Sequence, residues 1–200
     1  PSTMQARLAA VLGNDRVHLT PLRIENIYTH YRWNNDPELC YFDSEQPFEK
    51  ESFADFKRRF LQLALHPQAD AHDFEIHRVA DGALIGVAYI DRIDSFHRRC
   101  RISLAIAEQS AQGLGYGRAT LDVLLRCAFE ELKMHRVTAE AFSFAHVWKG
   151  LLDSVGFEAE GRLRDHLFRD GGFHDKETFA LLEEEYQARQ ATRPLLVEAA

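Results

Sequence analysis

The residues with the clearest chemical potential form one short run, Gln112-Gly113-Leu114-Gly115-Tyr116-Gly117. It follows an apolar, strand-like segment and opens directly into a helical pattern, an order suited to holding an anion. Glycines let the backbone approach a phosphate closely, and the unpaired N–H groups of a helix start point at it. A Walker loop would need Lys-Ser or Lys-Thr after the last glycine, and Arg118-Ala119 stands there instead. A dinucleotide fold would place G-x-G-x-x-G early in a βαβ unit, whereas this run has another spacing and lies past mid-chain. The plain alternative is a Gly-rich turn that only reverses the chain.

Other reactive side chains form no comparable cluster. Cys40, Cys100 and Cys127 are widely spaced, with no C-x-x-C pair, and the ten histidines include no H-E-x-x-H. No structural metal is expected. The net charge of −7 argues against a surface that coats nucleic acid, which must be cationic to displace phosphate counterions. No apolar run approaches the roughly 20 residues of a spanning helix, and Pro1–Asn14 lacks the basic start and apolar stretch of a secretory signal. The expectation is a soluble, cytoplasmic chain with no nucleic-acid or membrane partner.

A scaffold must hold the loop. The 200 residues, 46% of them hydrophobic, suffice for one domain over 1–200, with a core at about 17–182 and a frayed tail at 183–200. Val17–Thr20, Phe74–Val79, Leu84–Ile90, Arg99–Ala107 and Val137–Phe144 read as strands, with two more around the Asp170-Gly171-Gly172 turn. Helical spacing marks Ile24–Tyr31, Glu51–Leu65, the segment behind the glycine loop, and Lys149–Ser154. Asn34-Asn35-Asp36-Pro37 reads as a turn that stops the first helix. The class is α+β, or mixed α/β, around one sheet.

Q-x-x-G-x-G between an apolar strand and a helix resembles the pyrophosphate-binding motif of the GNAT superfamily of N-acetyltransferases. Further segments resemble the branch of ribosomal-protein-alanine and spermidine acetyltransferase-like enzymes. They are Trp33-Asn34-Asn35-Asp36-Pro37, Leu132-Lys133-Met134-His135-Arg136-Val137, Gly156-Phe157 with Glu160-Gly161 and Arg164, and Gly172-Phe173-His174-Asp175. Together they cover about residues 17–182 in the family's order. The resemblance implies a mostly antiparallel, twisted sheet of about seven strands, splayed between the fourth and fifth, with about four flanking helices. It also implies an acetyl-CoA or other acyl-CoA co-substrate. The pantetheine arm would pair with the backbone of Leu104, Ala105 and Ile106. The pyrophosphate would sit on Gln112, Gly113, Leu114, Gly115, Tyr116, Gly117 and Arg118.

The sequence departs from that branch where its enzymes handle protons. The positions of its strand Glu, its Asn and its Tyr are occupied by Arg101, Ala145 and Leu152. His146 and Ser143, which flank the missing Asn, are the catalytic candidates, the imidazole because it titrates near neutrality. Arg101 is a candidate to grip an anionic group of the acceptor, or else pairs with a carboxylate such as Glu75 on a neighbouring strand. Trp33 and Tyr41 are further acceptor-site candidates. The implied function is direct transfer of an acyl group from acyl-CoA to the amine of a small molecule or peptide, with a homodimer as an assembly to test. The alternatives are a catalytically degenerate acyl-CoA-binding module and a domain with no ligand.

Overall fold

Alternating apolar and polar residues build the strands β1 (Val17–Pro21), β2 (His72–Arg78), β3 (Leu84–Asp94), β4 (Arg99–Ile106), β5 (Arg136–Phe142), β6 (Glu158–Arg169) and β7 (Gly172–Leu182). The computed structural model describes residues 12–192, in which these strands form one sheet ordered β1-β2-β3-β4-β5-β7-β6. All neighbours are antiparallel except β4 and β5. That parallel pair is registered only at Arg99–Arg136, Cys100–Val137 and Arg101–Thr138. Beyond Arg101, β4 continues on β3 alone and β5 on β7 alone. The expected splay is therefore present, between the expected strands.

The two faces of the sheet differ in chemistry because side chains alternate along each strand. Phe74, Ala88 and Leu104 register across β2–β4 on one face, joined by Cys100, Val137 and Leu181 across β4, β5 and β7. These belong to the main core with Leu121 and Leu124, both fully buried. Each such leucine contributes roughly 1.5–3 kcal/mol by leaving water. The opposite face carries Asp73, Tyr89 and Ser103 in one row and Asp91, Arg101 and Thr138 in the next.

Among the described residues there are six α-helices, where about four were expected: α1 (Ile27–Asn34), α2 (Pro37–Asp43), α3 (Phe53–Leu65), α4 (Tyr116–Arg126), α5 (His146–Val155) and α6 (Glu183–Thr192). The two additional helices have clear causes. Asn34–Pro37 stops α1 but also starts α2: the Asp36 side chain accepts from the N–H groups of Glu38 and Leu39, and Pro37 occupies the first turn, where no N–H is needed. The expected frayed tail is instead helical over Glu183–Thr192; residues 193–200 lie outside the described residues. Tyr186 fixes this helix by stacking on Phe129 at 4.6 Å and donating to Glu130 at 2.7 Å.

Candidate active site

The glycine loop follows β4 through a single 3-10 turn, Gln109–Ala111, and ends at the first turn of α4. Gly113 and Gly115 have φ of +71° and +85°, a conformation that a side chain would strain, and Gly115 is the N-cap of α4. A Cβ on Gly113 would project into open space, so the backbone there is bare to an approaching group. On Gly117 it would lie 3.1 Å from Leu151 of α5, so this glycine permits α4 to pack closely. The N–H groups at the start of α4 have no intrahelical partner. Arg16 braces the loop from outside, donating to the Leu114 carbonyl at 2.7 Å and lying 4.8 Å over the Tyr116 ring.

A cavity of about 900 Å³ runs from this loop through the splay between β4 and β5 to α2. Ala105 points its carbonyl at β3, where a side chain on Gly86 would overlap it. Strand alternation then turns the backbone groups of Leu104 and Ile106 toward the splay. Gln112 Nε2 donates to the Ile106 carbonyl at 2.9 Å, and Trp148 Nε1 donates to the Glu140 carbonyl at 3.0 Å on the opposing strand. Among the described residues the Leu104 backbone groups and the Ile106 N–H have no strand partner on that side.

The far wall of the cavity is ionic. Arg101 grips Asp91 with two bonds of 2.8 and 2.6 Å and reaches Glu140 at 2.9 Å. Glu140 also pairs with Arg92 at 3.1 Å and Lys176 at 2.8 Å, and Lys176 pairs with Glu45 at 2.7 Å. Burial works against the Glu140 charge, but Lys176, Arg101 and Arg92 together hold its carboxyl below the ordinary range. Asp43, the last residue of α2, lines the same wall with no hydrogen-bond or ion-pair partner for its carboxylate among the described residues. Its side chain is open to the cavity, where the surrounding protein pushes its carboxyl up and Arg101 opposes that only in part. Behind this wall, Glu75 of β2 is fully buried and binds the segment leading into α1. It accepts from the Arg23 N–H and from Asn26 Nδ2, and His30 and His77 each place Nε2 2.9 Å from its oxygens. Burial opposes its charge, but these four bonds hold its carboxyl down at about 2.

A glycine-lined anion cradle and a splayed parallel pair, joined by one cavity, have a counterpart in known proteins. The Acetyltransferase (GNAT) domain family matches residues 16–174. The chain belongs to the GNAT acetyltransferase family. It is an acyl-CoA-dependent N-acetyltransferase with acetyl-CoA as co-substrate and an amine as acceptor. It is 26% identical over 181 residues to YdaF of Bacillus subtilis, provisionally named a ribosomal N-acetyltransferase, covering 88% of this chain and 90% of that protein. It is 23% identical to the spermidine N(1)-acetyltransferase of Vibrio cholerae, covering 88% and 98%. In fold it is similar to a crystal structure of the Vibrio cholerae spermidine N-acetyltransferase in complex with CoA and spermine. The TM-score is 0.77 at 22% identity, covering 87% of this chain and 99% of the other.

Within this GNAT cavity the sequence-predicted residues divide sharply. Leu104, Ala105, Ile106, Gln112, Gly113, Gly115, Gly117 and Arg118 all line it, whereas Leu114 and Tyr116 do not, being turned outward to Arg16. Neither His146 nor Ser143 lines it. His146 is exposed at the start of α5, and Ser143 sits in the turn after β5 with its N–H on the Asp175 carbonyl. Trp33 is buried away from the cavity, donating to Glu108 at 2.8 Å, and Tyr41 donates to Asp170 at 2.7 Å beside the β6–β7 hairpin. Arg101 does line the cavity, but its guanidinium is committed to Asp91 and Glu140, not to Glu75. Ala145 faces the cavity where the family carries Asn, but Leu152 is fully buried in the core, and Trp148 and Leu151 take the cavity side of α5.

Sequence reasoning missed Asp43, Tyr89, Asp91, Glu140 and Lys176. Strand alternation offered a signal for two of them, since Tyr89 and Asp91 fall on the face that opposes Ser103 and Arg101. Asp43 gave no local signal, because it lies between the Asn34–Pro37 turn and the Glu51–Leu65 helical pattern, in a stretch with no marked periodicity.

Proposed function

We propose that the acceptor is a primary amine that carries a second positive charge, as a polyamine does. The observation that supports this is the charge of the acceptor wall. Glu38, Asp43, Glu45, Asp91 and Glu140 line it against Arg92, Arg101 and Lys176. All three cations are already tied to carboxylates of that wall, while Glu38 and Asp43 pair with no cation among the described residues. Walls of one prevailing sign raise the local concentration of an oppositely charged substrate. The similarity to spermidine N(1)-acetyltransferase from Vibrio cholerae points to the same class.

Acetyl-CoA supplies an acyl group activated as a thioester. On this reading, the chain's residues bind and orient. Gly113, Gly115 and the first N–H groups of α4 hold the pyrophosphate, and the Leu104 and Ile106 backbone holds the pantetheine arm in the splay. The acceptor amine then approaches from the carboxylate wall, so that direct attack needs no covalent enzyme intermediate. The test is thiol release from acetyl-CoA with spermidine, a monoamine, a zwitterionic amino acid and a peptide N-terminus. The polycation is expected to give the highest kcat/KM, and a preference for the zwitterion would overturn the reading.

A further inference from the structure

An amine that arrives as an ammonium ion must lose a proton before its nitrogen can attack. Arg101, Ala145 and Leu152 stand where the resembling branch carries its polar groups, and none of them can accept that proton. Among the five carboxylates of the acceptor wall, three are engaged. Asp91 is gripped by Arg101, Glu140 is shared by Arg92, Arg101 and Lys176, and Glu45 binds Lys176 at 2.7 Å and His166 at 3.2 Å. Each such bond stabilises the anion and weakens it as a base.

Among the described residues Glu38 and Asp43 carry no such bonds, and they sit at opposite ends of α2. Glu38 lies in the first turn, and Asp43 closes the last, where the carbonyl end of a helix disfavours a carboxylate's charge. Facing Asp43 are Arg101 from β4, whose charge is shared between Asp91 and Glu140, and Tyr89 from β3. Cys40 faces it from its own helix, Asp73 acts on Tyr89 from β2, and Lys176 of β7 is occupied by Glu45 and Glu140. Burial and the charges of Asp43 and Asp73 push the Tyr89 phenol well up, so it keeps its proton and is no base.

We propose that Asp43 is the general base of the transfer, an inference that rests on the cationic-amine reading above. Its carboxylate takes one proton from the acceptor ammonium. The freed nitrogen lone pair forms the C–N bond to the acetyl carbonyl carbon and the C–S bond breaks with its electrons on sulfur. The second nitrogen proton ends on that sulfur as the thiol, and Asp43 releases its own to solvent. Open to the cavity and without a cation or donor bonded to it among the described residues, this carboxylate is a better proton acceptor than its paired neighbours.

The experiment measures kcat and KM against pH for the wild type, Asp43→Asn and Asp43→Glu, with spermidine and acetyl-CoA. Calorimetry with acetyl-CoA checks that each variant keeps the fold and the loop. The wild type is expected to lose activity as pH falls through an acid limb above the ordinary carboxylate range. Asp43→Asn should lose about 100-fold or more in kcat at neutral pH, and that limb with it, while binding acetyl-CoA normally. Asp43→Glu should restore the limb and part of the rate. An Asp43→Asn enzyme with an unchanged limb, or with a loss confined to KM, overturns the assignment while leaving the acceptor reading intact. A wild type that turns over other amines but not spermidine overturns the acceptor reading and this inference with it.

Discussion

The two ends of the cavity work by different physics. At the loop end, what faces the cavity is mainly backbone: positive φ at Gly113 and Gly115, the bare chain at Gly113, and the first N–H groups of α4, which a helix leaves without intrahelical partners. Side chains there mainly brace, as Arg16 and Gln112 do. At the acceptor end the backbone is ordinary sheet and helix, and the properties belong to side chains from α2, β3, β4, β5 and β7. A backbone site tolerates exchange of its neighbours but not an added Cβ. A side-chain site tolerates changes of shape but not a change in the charge count.

The largest break in that contrast is expected at the loop. Gly115→Val forces a β-branched residue to φ near +85°, at a cost of about 1–3 kcal/mol, and removes backbone donors from their positions. Charge-assisted bonds are worth roughly 1.5–3 kcal/mol each, so calorimetry should show a loss of about 100-fold or more in CoA affinity. Retained affinity would mean that the loop does not hold the phosphates.

For stability rather than affinity, the largest effect is expected of Glu75→Gln, which should cost about 3–5 kcal/mol in a denaturant titration by leaving a buried cluster without its anion. Its pH dependence has a definite sign. The folded carboxyl sits at about 2, below its ordinary value of 4.5, so its contribution is complete above that ordinary value. The contribution is lost as pH falls from about 4.5 through about 2, and the variant should lack that part of the wild-type acid transition.

Arg101→Gln should have a smaller effect, a loss of about 1–3 kcal/mol as Asp91 and Glu140 lose a shared cation. Its loss of turnover should be the same for an anionic acceptor as for a neutral ester of it. A loss confined to the anionic one would return Arg101 to the role of a carboxylate clamp. The smallest effect is expected for His146→Ala, an exposed residue off the cavity, whose kcat should stay within about twofold of the wild type.

The sequence by itself determined the sheet, the loop and the family, because each is written locally. Strand alternation is a period of two, a helix start needs its caps, and Gln112–Gly117 must be glycine-rich wherever it stands. Where local signals carried two meanings, reading failed: Asn34–Pro37 both ends α1 and caps α2, and the charged run at Glu183 becomes a helix because Tyr186 finds Phe129. The acceptor wall was decided only by tertiary structure. Asp43, Asp91, Arg101, Glu140 and Lys176 come from five elements, and nothing near any one of them in sequence specifies its partners. His146 and Ser143 show the converse, since closeness in sequence to a family position does not fix the direction of a side chain. Backbone chemistry follows from residues in a row, whereas the state of a charge depends on everything within a few ångströms, which only the folded chain assembles.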